Sequence, residues 1–294
     1  MKPNLIALFP NEQKSLSLKI ASEICQFLKK QNIEVVCEDS HALTVGSLRL
    51  SEIDKQAIDF KICLGGDGTI LRLIHRHPQI HAPLLGINLG SLGFLTDIPQ
   101  SAIFPSLQLL IDGHYTLEHR MMMNGETSKG ETCFALNEVV LHRATNPCLI
   151  ELAIYVDGVY LNTFAADGVI ISTPSGSTAY SLAAGGPILS PKLRAFVLTP
   201  ICPHTISNRP IVLLPEKNIQ IQYLSSLNPL EISYDGFSSF GLATGETFSA
   251  CVSPTDFCLV SLLGHDYFTT LREKLGWHGK LKTSKPHEFL ISNP

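Results

Sequence analysis

The 294-residue sequence carries little charge, no basic run and no apolar stretch approaching the ~20 residues of a membrane-spanning helix. Charged residues make up 16% and the formal net charge is −4. That balance argues against a nucleic-acid partner, because phosphate-backbone binding draws on clustered Lys and Arg. Met1 to Pro10 lacks a charged n-region followed by an apolar h-region, so no secretory signal is expected. Eight cysteines stand singly, at Cys25, Cys37, Cys63, Cys133, Cys148, Cys202, Cys251 and Cys258. None forms a Cys-x-x-Cys pair, which removes zinc knuckles and thioredoxin-type redox sites from consideration. Cys63 and Cys258 lie in apolar runs, where cysteine behaves as a small hydrophobe. A reduced, cytoplasmic protein is expected.

The standard catalytic signatures are missing too. There is no Gly-x-Gly-x-x-Gly, no His-Glu-x-x-His and no Gly-x-Ser-x-Gly. Gly125 to Gly130 approaches a Walker A loop, but Glu131 holds the lysine position and would repel phosphates. His75, His77 and His81 have no carboxylate or cysteine at ligand spacing and read as solvated surface, not as a metal site.

What is present is 45% hydrophobic residues, enough for a sizeable core, in two grammars. Apolar strands at 4–9, 33–37, 60–64 and 83–87 alternate with an amphipathic helix over 14–30 and a helix up to His77, stopped by Pro78. Residues 41–50 are ambiguous, and 51–58 has room for a short helix. This alternation predicts a parallel sheet with helices on its faces, a Rossmann-like α/β domain over 1–99. After a helix at 102–111 come short apolar runs and turn signals, including 115–123 leading to an Asn124-Gly125 hairpin, a strand over 134–142, and a Val156-Asp157-Gly158-Val159 hairpin. They predict a C-terminal β-sandwich-like, β-rich domain over 100–270. The segment 268–277 reads as helical, with Arg272, Glu273 and Lys274 exposed.

Three stretches carry chemistry. Gly65-Gly66-Asp67-Gly68-Thr69 joins a buried strand to a helix start. Glycines let a ligand approach the backbone, and the free N–H groups at a helix start suit phosphate. A carboxylate inside such a turn repels phosphate unless it handles a metal or takes a proton from a hydroxyl, which points to phosphoryl transfer. The same residues are also ordinary tight-turn chemistry. Asn88 to Leu95 follows the next strand, where α/β sheets bind ligands, and reads equally well as a loop with two turn glycines. Asp167 to Pro187 runs from a strand into five hydroxyl side chains, Gly176 and Tyr180, then a helix ended by Gly185-Gly186-Pro187. Hydroxyls there suit ribose and phosphate oxygens, and Tyr180 offers a stacking face; Ser175 or Ser177 would equally cap its own helix. Asn137-Glu138 interrupts an apolar strand, and the polar side chain turned inward needs a ligand, a bulge or an edge.

Together these stretches resemble the NAD kinase family. Asn88 to Leu95, Pro203 to Pro210, Tyr234-Asp235-Gly236 and Leu271 to Trp277 extend the resemblance over most of the chain. The glycine–aspartate turn alone is shared with lipid and sugar kinases, whereas Asp167 to Pro187 is far more specific. The resemblance implies transfer of the ATP γ-phosphoryl group (polyphosphate in some members) to the 2′-hydroxyl of NAD's adenosine ribose, with Mg²⁺ or another divalent ion accompanying ATP. It implies Asp67 as general base, and Gly68 and Arg72 near substrate and phosphate. Asn137 and Glu138 would hold the adenosine ribose and Asp167 would meet the nicotinamide end. Ser175, Thr178, Ala179, Tyr180 and Ala183 would line the adenosine pocket, with Phe94 also on the substrate. It further implies that the tail, 271–294, rejoins the first domain, and a homodimer or homotetramer. Members often carry Gln after the Asp-Gly turn; here Phe237 cannot make that hydrogen bond. A non-catalytic dinucleotide sensor is the rival from another class, and the retained Asp67, Asn137 and Glu138 argue against it.

Overall fold

The computed structural model describes residues 2–205, 207–262 and 267–276. The first sheet has eight strands. Across it the order is Leu48–Arg49, Glu34–Cys37, Leu5–Pro10, Phe60–Gly65, Leu84–Asn88, Phe257–Leu262 and Tyr115–Arg120, with Ile98–Pro99 beside Leu84–Asn88. All pair in parallel except Tyr115–Arg120. Phe60–Gly65 and Leu84–Asn88 are buried along their whole length. That is why they read as continuous apolar runs: parallel strands are covered on both faces. Helices Ser15–Lys30 and Ile103–Asp112 cover one face, burying Ile20, Ile24, Leu28, Leu107 and Leu110 against Ile6, Leu8 and Ile62. Helix Asp67–Arg76 lies on the other, where Ile70, Leu73 and Ile74 meet Leu84, Leu95, Leu136 and Phe257.

The rest is a sandwich of two six-stranded antiparallel sheets. One sheet runs Ile211–Leu213, Phe196–Ile201, Gly168–Ser172, Glu138–His142, Leu230–Tyr234 and Phe237–Leu242. The other runs Val159–Ala166, Ile150–Val156, Ile219–Tyr223, Thr247–Val252, Met123–Thr127 and Thr132–Ala135. Their inner faces meet in a core of Val139, Leu141, Val169, Ile171 and Ile232 against Leu152, Ile154, Ile221, Phe248 and Ala250. The Asp157-Gly158 hairpin forms as expected, with both turn residues at positive φ (50° and 76°) and Val156 opposite Val159.

Beyond residue 99, helix Ile103–Asp112 packs on the first sheet and strand Tyr115–Arg120 forms its edge. Strand Phe257–Leu262 also returns to that sheet, between Leu84–Asn88 and Tyr115–Arg120. An edge strand looks alike in sequence whichever sheet takes it. Several expectations are corrected. Asn124-Gly125 is no turn but the middle of a strand, and a Cβ at Gly125 would stand 2.3 Å from the Phe248 ring; the glycine makes room for an aromatic. The helix after the hydroxyl cluster is a single turn, Tyr180–Ala183. Residues 51–58 form two 3₁₀ turns, and 41–50 holds the end of helix Asp39–Val45. His75 and His77 are not solvated: their side chains are 11% and 15% exposed and bond to Asp235 and Glu38. All eight cysteines are free, and burial pushes the thiols of Cys37, Cys63 and Cys133 up to about 12. No described helix is long and apolar enough to cross a membrane. Trp277 and the tail beyond residue 276, like Ile206, lie outside the described residues.

Candidate active site

Strand Phe60–Gly65 ends in the glycine turn, and Gly66 caps helix Asp67–Arg76 in extended backbone. Gly65 is a packing glycine, since a Cβ there would stand 2.3 Å from Thr69 Oγ1. Gly68 is different. It is exposed, and a side chain would meet nothing within 4 Å, so its backbone lies open to an approaching molecule.

Asp67, the first residue of the helix, turns its carboxylate to the loop after Leu84–Asn88. Oδ2 accepts the Phe94 N–H at 2.8 Å; Oδ1 accepts the Leu95 N–H at 3.0 Å and the Thr96 hydroxyl at 3.2 Å. Gly93 permits this approach, because a Cβ there would lie 2.0 Å from Oδ1. A carboxylate has about four lone-pair sites. With three taken, Asp67 is held in one orientation and keeps an acceptor site on Oδ2.

Asp67 opens onto a cleft between the α/β sheet and the sandwich. Phe94 and Arg120 line it from the first side, and Asn137, Ser175, Thr178 and Ala179 from the second. Tyr267 and Lys274 of helix Tyr267–Leu275 complete it. The Lys274 ammonium sits 4.8 Å from the Phe94 ring centre, a cation–π contact. The five hydroxyls divide their labour. Thr173 donates to the Leu136 carbonyl and Ser177 to the Pro174 carbonyl. Ser172 is buried with no hydrogen-bond partner among the described residues. Ser175 and Thr178 face the cleft.

Asn137 and Glu138 sit where the expected 134–142 strand breaks. Asp235 makes the break. Its buried carboxylate accepts the N–H groups of Leu136 (2.9 Å), Asn137 (2.7 Å) and Glu138 (3.3 Å), and bonds His75 Nε2 at 2.8 Å. His75 belongs to the helix that Asp67 heads, so one carboxylate ties both halves of the cleft together. Phe237, with Phe134 and Tyr234, packs around the His75 ring. Glu138 is buried, and its Oε2 has no hydrogen-bond partner among the described residues. Burial first, then the Asp235 charge, raises its carboxyl to about 8, while the Tyr180 N–H partly offsets them.

The other expected residues lie elsewhere. Arg72 is exposed on a neighbouring groove with Asn11, Glu12 and Thr69. Asp167 pairs with Arg143 Nε at 2.8 Å. Tyr180 and Ala183 are exposed and do not line the Asp67 cleft. Glu12, Glu38 and His41 form the one candidate metal cluster among the described residues. There the Arg76 guanidinium, 2.6 Å from Glu12 and 3.2 Å from Glu38, already supplies the positive charge.

The family model for the ATP-NAD kinase N-terminal domain matches residues 6–115, and that for the C-terminal domain matches 136–262. The chain belongs to the NAD kinase family. It is 69% identical over 278 residues to the NAD kinase of Protochlamydia amoebophila, covering 95% of this chain and all of that one. Against the NAD kinase of Moorella thermoacetica it is 36% identical, covering 92% and 88%. Among solved structures it is similar to yeast NADH kinase complexed with NADH, with a TM-score of 0.84 and 27% identity over 97% of this chain and 91% of that one. The NAD kinase fold, a mixed sheet ahead of antiparallel sheets, is the one found here, and this NAD kinase family member is a phosphotransferase acting on an alcohol. Sequence reading missed Arg120, Tyr267 and the Asp235–His75 clamp. Only the three-dimensional meeting of distant segments reveals them.

Proposed function

We propose that this chain transfers the γ-phosphoryl group of ATP to the 2′-hydroxyl of the adenosine ribose of NAD, with Asp67 as the general base. The observation that carries the reading is the Asp67 carboxylate, fixed by the Phe94 and Leu95 N–H groups, in one cleft with Asn137, Ser175, Thr178 and Ala179. Its remaining Oδ2 site takes the 2′-hydroxyl proton as the ribose oxygen attacks the γ-phosphorus. The bond to the β,γ-bridging oxygen breaks and ADP leaves. Asn137 holds the adenosine ribose. So does Glu138, neutral at pH 7, whose unpartnered Oε2 is free for a ribose oxygen. The open Gly68 backbone and the exposed Arg72 meet donor phosphates, while Phe94, Tyr180 and Ala183 bound the adenosine. Asp167 reaches the nicotinamide end.

Mg²⁺ would arrive on the ATP oxygens and neutralise their charge. Among the described residues no group of three candidate ligands lies at the cleft, and three of the Asp67 lone pairs are already used. This fits a metal carried by the triphosphate, with polyphosphate as the alternative donor. A homodimer or homotetramer in the cytoplasm completes the reading.

The test is a coupled assay with ATP, Mg²⁺ and NAD, read by an NADP-specific dehydrogenase. Wild type should form NADP, and Asp67→Asn should lose ~10²–10⁴-fold in kcat while binding NAD normally. If NAD binding disappears with turnover, Asp67 anchors ligand or structure and is not the base.

A further inference from the structure

We propose that Arg120 is a phosphate-binding residue of the Asp67 cleft, holding an oxyanion of the dinucleotide. This deepens the reading above and rests on it. Arg120 ends strand Tyr115–Arg120, opposite Phe257, and lines the cleft although only 5% of it is exposed. Its Nη2 donates to Glu118 Oε2 at 2.6 Å, and its buried Nε has no hydrogen-bond partner among the described residues. A guanidinium carries five N–H donors in a rigid fork. One carboxylate oxygen cannot satisfy them, and a buried charged donor left unpaired is costly.

The cleft also holds the opposite charge, Asp67, yet no ion pair joins the two. The Asp67 oxygens face the 94–96 loop, and the partner recorded for the guanidinium is Glu118. Two opposite charges lining one cleft without meeting leave room for a group between them. A ribose hydroxyl on Asp67 and a phosphate oxygen on Arg120 fill that room with matched chemistry. The geometry of the fork suits a phosphate in two-point contact. Lys274 is the other cation on the cleft, but it is exposed and lies over Phe94, whereas Arg120 is buried. Tyr267 registers the charge as well: burial raises its phenol and Arg120 partly offsets the rise.

The phosphate has two possible sources, the pyrophosphate that NAD brings and the 2′-phosphate that NADP carries away. Calorimetric titration of Arg120→Met with adenosine, NAD and NADP separates them without relying on turnover. Adenosine, which has no phosphate, should bind as it does to wild type. Loss of about 10- to 100-fold for both NAD and NADP places the pyrophosphate on Arg120, and the same loss for NADP alone places the 2′-phosphate there. Equal loss for all three ligands makes Arg120 a shaping residue and overturns the proposal, as does no loss for any. Glu118→Gln frees the guanidinium without removing it and should keep NADP binding within about twofold of wild type; a loss matching that of Arg120→Met would mean the ion pair matters, not a phosphate contact. Should Arg120→Met fail to fold, Arg120→Lys carries the same three titrations, since lysine keeps the charge and loses the fork. If wild type neither binds NAD nor makes NADP, the underlying reaction fails instead, and the two failures are distinct.

Discussion

Burial and the neighbouring Asp235 raise the Glu138 carboxyl from 4.5 to about 8, so the folded chain keeps a proton that the unfolded chain loses. Below pH 4.5 both forms are protonated and the contribution of Glu138 to stability is fully present. As pH rises from 4.5 to 8, only the unfolded form ionises, and stability falls by about 1.4 kcal/mol per unit at most. Above 8 the loss is complete. Thermal midpoints measured from pH 5 to 8 should therefore fall more steeply for wild type than for Glu138→Gln, with the variant relatively more stable at the alkaline end. Parallel curves would mean that Glu138 ionises in the folded chain as freely as in the unfolded one. At this scale the sequence was informative where the chemistry is local. The glycine turn placed Asp67 at a helix start, and the hydroxyl run held Ser175 and Thr178. It was silent on Arg120, and it named Asp235 only as part of a turn, without the buried contacts that residues far along the chain supply.

Between strands Thr132–Ala135 and Glu138–His142 the chain bends at Leu136-Asn137, and the cause lies in another hairpin. Asp235 and Gly236 form an Asp-Gly turn at positive φ (48° and 81°), like Asp157-Gly158, yet the two aspartates do different work. Asp157 is exposed and pairs with Lys217, whereas Asp235 is buried under three N–H groups and His75. Nothing within either turn tells them apart, so the 134–142 run reads as one strand until the fold is known. Removing the buried acceptor strands all four donors. Asp235→Ala should cost about 3–5 kcal/mol, lowering the thermal midpoint by roughly 10 °C. His75→Ala should cost less, because three N–H groups still satisfy the carboxylate. Equal losses in calorimetry would show that the histidine bond, and not the strand break, is what Asp235 maintains.

Across the whole molecule, the change of grammar near residue 100 marks where strand–helix alternation gives way to successive strands. Tyr115–Arg120 and Phe257–Leu262 return to the first sheet, and this wrapping sets the sandwich against the face that carries helix Asp67–Arg76. The cleft therefore belongs to neither unit alone: Asp67, Phe94 and Arg120 come from one, and Asn137, Ser175 and Thr178 from the other. A ligand touching both walls links them, and it binds the folded chain only. Bound at 100 times its dissociation constant, such a ligand stabilises by about 2.7 kcal/mol, or on the order of 5 °C in midpoint for a chain of this size. NAD should produce this rise in wild type. It should do so by less in Asp235→Ala at the same NAD concentration, because the break that presents Asn137 is no longer held against the Asp67 helix. An equal rise in both proteins would mean that NAD finds its contacts on one wall, and that the clamp serves stability without shaping the site.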